Sequence, residues 1–261
     1  MYSFEYSKPA SLGEVESAVG EEAVLLAGGM TLIPTLKQRL ASPDQLIDLG
    51  AIAELSGISV SGDTVTIGAM TTHAEVASSK EVANAIPALA ALAEMIGDPA
   101  VRNRGTIGGS IANNDPAADY PAAVVGLGAT VKTNKREIAG DDFFTGLFET
   151  ALDEGEIVTS VSFPVPEKAG YSKFPNPASR YAIVGVFTAK TGNGTRVAVT
   201  GAGPCVYRVG EMESALDDNW SADAVAGISV SADGLNEDIH ASAEYRAHLV
   251  TVMAKRAVAA S

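Results

Sequence analysis

Apolar residues return at helical spacing at Leu12, Val15 and Val19, which predicts a helix over 11–19 with Ser11 as N-cap and Glu14 three residues on. The apolar run Ala23–Leu26 predicts a buried strand that ends at Gly28-Gly29. Leu32, Ile33, Leu36 and Leu40 then resume helical spacing, with Thr31 as the expected N-cap and Pro34 tolerated in the first turn. Residues 46–49 form a second strand candidate. The alternating stretches 58–60 and 64–67, about Ser61-Gly62-Asp63, read as a hairpin. Residues 74–82 and 85–96 carry helical patterns, the second stopped by Gly97-Asp98-Pro99. A small-residue helix is expected over 120–127, capped by Asp119 with Pro121 in its first turn, and strands over 131–133 and 157–163. Residues 164–168 read as a linker. Beyond it, strands over 182–189 and 196–201 flank the turn Thr191-Gly192-Asn193-Gly194, and three segments after Val209 look helical, the longest over 240–260. This divides the chain into a first domain over 1–165, with α/β subdomains at about 1–56 and 57–165, and an α+β domain over 171–261.

The periodicity fails between Gly97 and Pro121, where GDPAVRNRGTIGGSIANNDPAADYP is not expected to be a regular helix or strand through its centre. Gly105, Gly108 and Gly109 permit positive φ and let the backbone approach a ligand with no Cβ in the way. Successive exposed N–H groups in such a turn form a concavity suited to anionic oxygen. Ala27-Gly28-Gly29-Met30-Thr31 has the same character at a strand-to-helix junction, the geometry for an anion at a helix N-terminus. Taken alone, a double glycine there is also an ordinary tight turn. Two such turns in one domain point to one extended, phosphate-bearing ligand held from two sides. For Asp119, helix capping and a hydrogen bond to a ligand's ribose or ring both remain open.

Composition narrows the partners. The net charge of −14 argues against nucleic acid, which needs a basic face. The single Cys205 excludes an internal disulfide framework and a cysteine-ligated iron–sulfur cluster in this chain. No transmembrane run and no secretory signal are expected, and a reducing, cytoplasmic setting fits. Gly201-Ala202-Gly203 follows a strand, but Pro204 and Val206 spoil the dinucleotide-binding fingerprint. His240, Glu244 and His248 share four-residue spacing, yet the two histidines lie roughly 12 Å apart along a helix, too far to hold one ion. His73 stands alone and Cys205 reads as a packed residue.

Taken together, Ala27-Gly28-Gly29-Met30-Thr31-Leu32-Ile33-Pro34, Arg104-Gly105-Thr106-Ile107-Gly108-Gly109-Ser110 and Asp115-Pro116-Ala117-Ala118-Asp119-Tyr120-Pro121 form an ordered set of motifs. Tyr171-Ser172-Lys173-Phe174, Pro177-Ala178-Ser179-Arg180-Tyr181 and the stretch from His240 to Leu249 extend it. On these residues the chain resembles, over nearly its full length, the FAD-binding medium subunit of the molybdenum hydroxylases, the carbon monoxide dehydrogenase and xanthine dehydrogenase group. The resemblance implies an FAD domain of the p-cresol methylhydroxylase type followed by the family's C-terminal domain. It implies FAD between the subdomains, its pyrophosphate against Gly28, Gly29, Met30 and Thr31 and against Thr106, Ile107, Gly108, Gly109 and Ser110. Ala27, Leu32 and Asn113 complete that set, Asp119 would reach the adenosine half, Ile157 or Val158 would lie near the flavin, and Lys173 would contact it. Many relatives carry His where this chain has Met30, and Met30 cannot attach flavin covalently, so non-covalent FAD is expected. The implied partners are a large molybdenum-cofactor subunit and a small subunit with two [2Fe–2S] clusters, in a hetero-oligomer. A self-contained flavin oxidoreductase and a non-redox phosphate-binding module are the alternatives.

Overall fold

The computed structural model describes every residue of the chain except Glu21. In the first subdomain β1 (Glu5–Ser7) and β2 (Ala23–Leu26) flank β3 (Gln45–Asp48), all parallel. α1 (Leu12–Ala18) is capped by the Ser11 hydroxyl, which accepts from Glu14 N–H. It packs Val15 against Ile47 and Leu49, together with Ile52, Leu55 and Ile157. α2 (Leu32–Lys37) follows the double glycine, but Thr31 is already in a right-handed helical conformation and makes no side-chain cap.

The second subdomain is built on a five-stranded antiparallel sheet. β4 (Ile58–Ser61) and β5 (Thr64–Gly68) form the expected hairpin, with Gly62 at φ +55°. β6 (Thr130–Thr133), β7 (Glu137–Ala139) and β10 (Val158–Pro164) complete it in the order β4-β5-β10-β6-β7, and β8 (Phe144–Gly146) and β9 (Glu149–Thr150) form a separate small hairpin. Between β5 and β6 run α3 (His73–Ser78), α4 (Lys80–Ala85), α5 (Pro87–Glu94), α6 (Pro99–Arg102), α7 (Ile107–Asn113) and α8 (Tyr120–Gly126). The single helix expected over 74–82 is two. Ser79 ends α3 and caps α4 through its hydroxyl, and a capping box of Thr72 and Glu75 starts α3.

The glycine-rich centre is helical, contrary to expectation: Gly108 and Gly109 lie inside α7, and neither they nor Gly105 has positive φ. Close approach explains the glycines. A Cβ at Gly108 would stand 2.5 Å from that of Ala69, and one at Gly105 would stand 2.5 Å from the His73 ring.

The C-terminal domain is a four-stranded antiparallel sheet of β11 (Lys168–Pro175), β12 (Ala182–Thr191), β13 (Gly194–Thr200) and β14 (Tyr207–Arg208). α10 (Gly210–Asp218) and α11 (Ala243–Ala259) supply Met212, Leu216, Val250 and Met253 to its core. A Cβ at Gly170 would overlap the Ala257 carbonyl, so the bare glycine lets α11 lie against the sheet. Residues 219–242 form turns rather than the third expected helix. α11 starts only at Ala243, capped by Ser242, which leaves His240 outside it and exposed. On the other side every residue of α8 is buried, and Phe187, Ala189 and Ala198 of the C-terminal sheet join the core of the second subdomain. No described helix is long and apolar enough to cross a membrane.

Candidate functional site

β2 delivers the chain into the turn 27–31, where Gly29 takes φ +75° and Ile33 N–H bonds back to Gly29 O at 3.0 Å. A Cβ at Gly28 would overlap the Arg104 carbonyl, so this glycine is where the two subdomains touch. Among the described residues, the backbone N–H groups of Gly28, Gly29, Met30, Thr31 and Leu32 find no protein acceptor. Five adjacent unpaired donors form a concentrated site for anionic oxygen.

The facing motif is arranged differently. Ile107 N–H donates to Thr71 O at 3.1 Å, Gly108 N–H to Ala69 O at 2.9 Å and Ser110 N–H to Thr106 O at 3.0 Å. Gly109 N–H is taken by the capping Thr106 hydroxyl at 3.2 Å. The backbone donors of this motif are therefore taken within the protein, its two glycines present no side chain to the cavity, and the free backbone donors come from the first turn. A Cβ at Gly109 would stand 3.2 Å from that of Ala27, so added bulk there enters the gap between the motifs.

Between them lies a cavity of about 520 Å³, within the roughly 300–1,000 Å³ of small-molecule and cofactor sites. Of the residues expected at the site, Ala27, Gly28, Gly29, Met30, Thr31, Leu32, Thr106, Gly108, Gly109, Ser110, Asn113, Asp119, Ile157 and Val158 line it. Two do not. Ile107 is fully buried in the core of the second subdomain. Lys173 stands behind the wall, its side chain 2% exposed and paired with Asp119 at 2.9 Å. Asp119 makes no helix cap; its carboxylate accepts from the Tyr171 hydroxyl at 2.6 Å and from Lys173. Asp115 accepts from Ala117 N–H at 2.8 Å in a local turn, and burial raises its carboxyl above the usual range.

Several lining residues were not among the expected cofactor contacts. Ser179, Arg180 and Tyr181 form a lip from the C-terminal domain, and Glu156 sits beside Ile157 in the wall. Ser179, Arg180 and Tyr181 stand in a motif quoted above for the resemblance, and Glu156 is adjacent to Ile157. His73 is a third case: burial, with help from Arg102, lowers its imidazole to about 4, so it is neutral at physiological pH. Its Nδ1 has no hydrogen-bond partner among the described residues, and its ring stands 5.3 Å from that of Tyr120.

Two family profiles match end to end: an FAD-binding domain of molybdopterin dehydrogenases over 2–166, and the carbon monoxide dehydrogenase flavoprotein C-terminal domain over 169–261. The chain belongs to the FAD-binding medium subunits of the molybdenum hydroxylases. It is 36% identical to the carbon monoxide dehydrogenase medium chain of Hydrogenophaga pseudoflava, covering 99% of this chain and 96% of that one. It is 34% identical to the nicotine 6-hydroxylase medium subunit of Paenarthrobacter nicotinovorans, covering 97% and 95%. Its fold superposes on a chain of quinoline 2-oxidoreductase from Pseudomonas putida 86 with a TM-score of 0.88 at 30% identity, covering 99% and 96%. The cavity fits the family's cofactor: five free donors face a glycine surface in a space that side chains would fill.

Met30 lines that cavity as a thioether, 38% exposed, and offers no nitrogen for a flavin linkage. Acid precipitation of the holoprotein is expected to leave all flavin in the supernatant. Fluorescence migrating with the denatured chain would contradict this.

Proposed function

We propose that this medium subunit is an electron-transfer subunit, standing between the iron–sulfur clusters of a small partner subunit and an external acceptor. The organic or gaseous substrate is oxidised at a molybdenum cofactor in a large partner subunit. FAD held here would supply the redox chemistry that links one-electron donors to a two-electron acceptor. The observation that carries this reading is the row of free N–H groups at Gly28–Leu32 facing the glycine surface of α7. Those donors would hold the pyrophosphate, and Asp119, fixed from behind by Tyr171 and Lys173, faces the same cavity. Ile157 and Val158 supply apolar wall, and Tyr181, 43% exposed, stands at the lip. Burial, followed by the charge of Asp115, raises the Tyr181 phenol, which keeps it neutral at physiological pH. We place the complex in the cytoplasm, where Cys205 stays a reduced thiol.

The relatives named above act on carbon monoxide, nicotine and quinoline. Substrates that differ this much alongside similar medium chains support a substrate pocket in another polypeptide. The isolated chain reconstituted with FAD is therefore expected to be reduced by dithionite and to stay oxidised during anaerobic incubation with purines, aldehydes, aromatic acids or carbon monoxide. Bleaching of the flavin bands by any of these without added subunits would overturn the electron-transfer reading in favour of a self-contained oxidoreductase.

A further inference from the structure

The C-terminal domain grips one short piece of the cavity wall from behind. Gly201 N–H donates to Pro116 O at 2.8 Å, and Ala182 N–H to Ala117 O at 3.2 Å. The Thr200 hydroxyl stands 3.0 Å from Pro116 O and 2.6 Å from Ala118 O. Three consecutive carbonyls of the wall segment 115–119 are thus held by the neighbouring domain.

Lys173 of β11 extends this grip to three separate parts of the wall. Its ammonium donates to Met95 O at 2.8 Å, at the end of α5. It donates to Arg180 O at 2.9 Å, in the lip, and pairs with the Asp119 carboxylate at 2.9 Å. An ammonium has three protons, and these acceptors use all of them. Tyr171, two residues earlier on the same strand, holds Asp119 through its phenol.

We propose that Lys173 is a positioning residue for the cofactor cavity, locking the end of α5, the segment 115–119 and the lip into one arrangement so that docking of the C-terminal domain sets the cavity's shape. This rests on the reading of the cavity as the FAD site. A buried ion pair is a poor source of stability, because desolvation offsets its attraction. Burial raises the Asp119 carboxyl, while Lys173 and Tyr171 oppose that effect. What the ammonium adds over an apolar side chain is geometry: one point joins three segments that are far apart in sequence.

Lys173→Met keeps most of the side chain's volume and removes the three bonds. If the wall is correctly placed in only about a tenth of molecules, the apparent Kd for FAD rises about tenfold. A local readout accompanies this. The carbonyl of the Arg180–Tyr181 peptide bond is the one Lys173 holds, so tryptic cleavage after the exposed Arg180 is expected to speed up at least about tenfold by the same opening argument. Cleavage after the exposed Arg39, in the first subdomain, should be unchanged.

Lys173→Met leaves Asp119 buried without its counter-ion, so Lys173→Met with Asp119→Asn is the second variant and carries the comparison if the first does not fold. It is expected to regain thermal stability while keeping the weak FAD binding and the fast cut after Arg180. Wild-type affinity and a wild-type tryptic pattern in the double variant would show that Lys173 only neutralises Asp119, and would overturn the proposal. So would equal affinity and cleavage in Lys173→Met and wild type. A wild-type apoprotein that binds no FAD would instead overturn the cofactor reading itself.

Discussion

Gly28→Val purifies without flavin. At this position a Cβ overlaps the Arg104 carbonyl, with Gly105 Cα also within 2.8 Å, so the obstruction is backbone and no side-chain rotation relieves it. Overpacking of this kind costs about 1–3 kcal/mol or more. The chain can relieve it only by moving the turn 27–31 away from the segment before α7, which widens the gap between the subdomains. The free donors at Gly28–Leu32 then no longer face the α7 surface. Hydrogen bonds to a charged acceptor contribute about 1.5–3 kcal/mol each. Losing two of them weakens binding at least about 100-fold. The second subdomain and the C-terminal domain have their own cores and should keep their far-UV circular dichroism. Gly227→Ala is the control, since a Cβ there meets nothing within 4 Å. Flavin-to-protein ratio and fluorescence titration read the result, and full FAD content in Gly28→Val would mean that the two motifs do not meet around the cofactor.

The first of these motifs was legible in the sequence because strand, double glycine and helix are consecutive, and local order shows in local spacing. The second was legible as special but not in its form. A pair of glycines reads as a loop because glycine disfavours helix by about 1 kcal/mol relative to alanine. In α7 packing overrides that preference: Gly108 lies against Ala69, the helix is capped by Thr106, and Ile107 and Ile111 are buried. β11 escaped notice because KAGYSKFP does not alternate cleanly, its buried pair Gly170-Tyr171 being set by α11 on one side of the strand and α5 on the other. β12 was visible as an apolar run since it is buried on both faces. The partner of Asp119 lies 54 residues away, and no spacing rule reaches that far. That is why Asp119 reads as a cap or a ligand contact and Lys173 as a ligand contact, with no hint in the sequence that the two pair with each other.

Glu156→Ala is expected to loosen the cavity wall at Ile157 and Val158 and to remove a pH dependence that the native protein has. The Glu156 side chain is fully buried beside Ile157 and Val158, although Arg136, its counter-ion, is 45% exposed. Its carboxylate accepts from Thr133 Oγ1 at 2.7 Å, from Asp153 N–H at 2.8 Å and from Arg136 Nε and Nη2, both at 3.0 Å. The Arg136 hydrogen bonds lead in lowering its pKa from 4.5 to about 2. Truncation strands the Asp153 N–H, but Arg136 keeps its bond to Ala151 O and can turn to water. The cost is then about 2–3 kcal/mol, below the figure for a fully buried pair. For a chain of this size that is roughly 4–12 °C in Tm. Because the folded pKa lies below the unfolded one, the native protein has this ionic contribution in full above pH 4.5. It loses the contribution as pH falls from 4.5 through about 2. The Tm difference between wild type and Glu156→Ala should therefore be constant from pH 7 to 5 and narrow clearly by pH 3. FAD should also dissociate faster from the variant at pH 7, since the strand start at Val158 and the adjacent Ile157 form cavity wall. A Tm difference that stays the same at pH 3 would mean that the carboxylate acts through packing alone, and an unchanged FAD off-rate would separate this ion pair from the cofactor site.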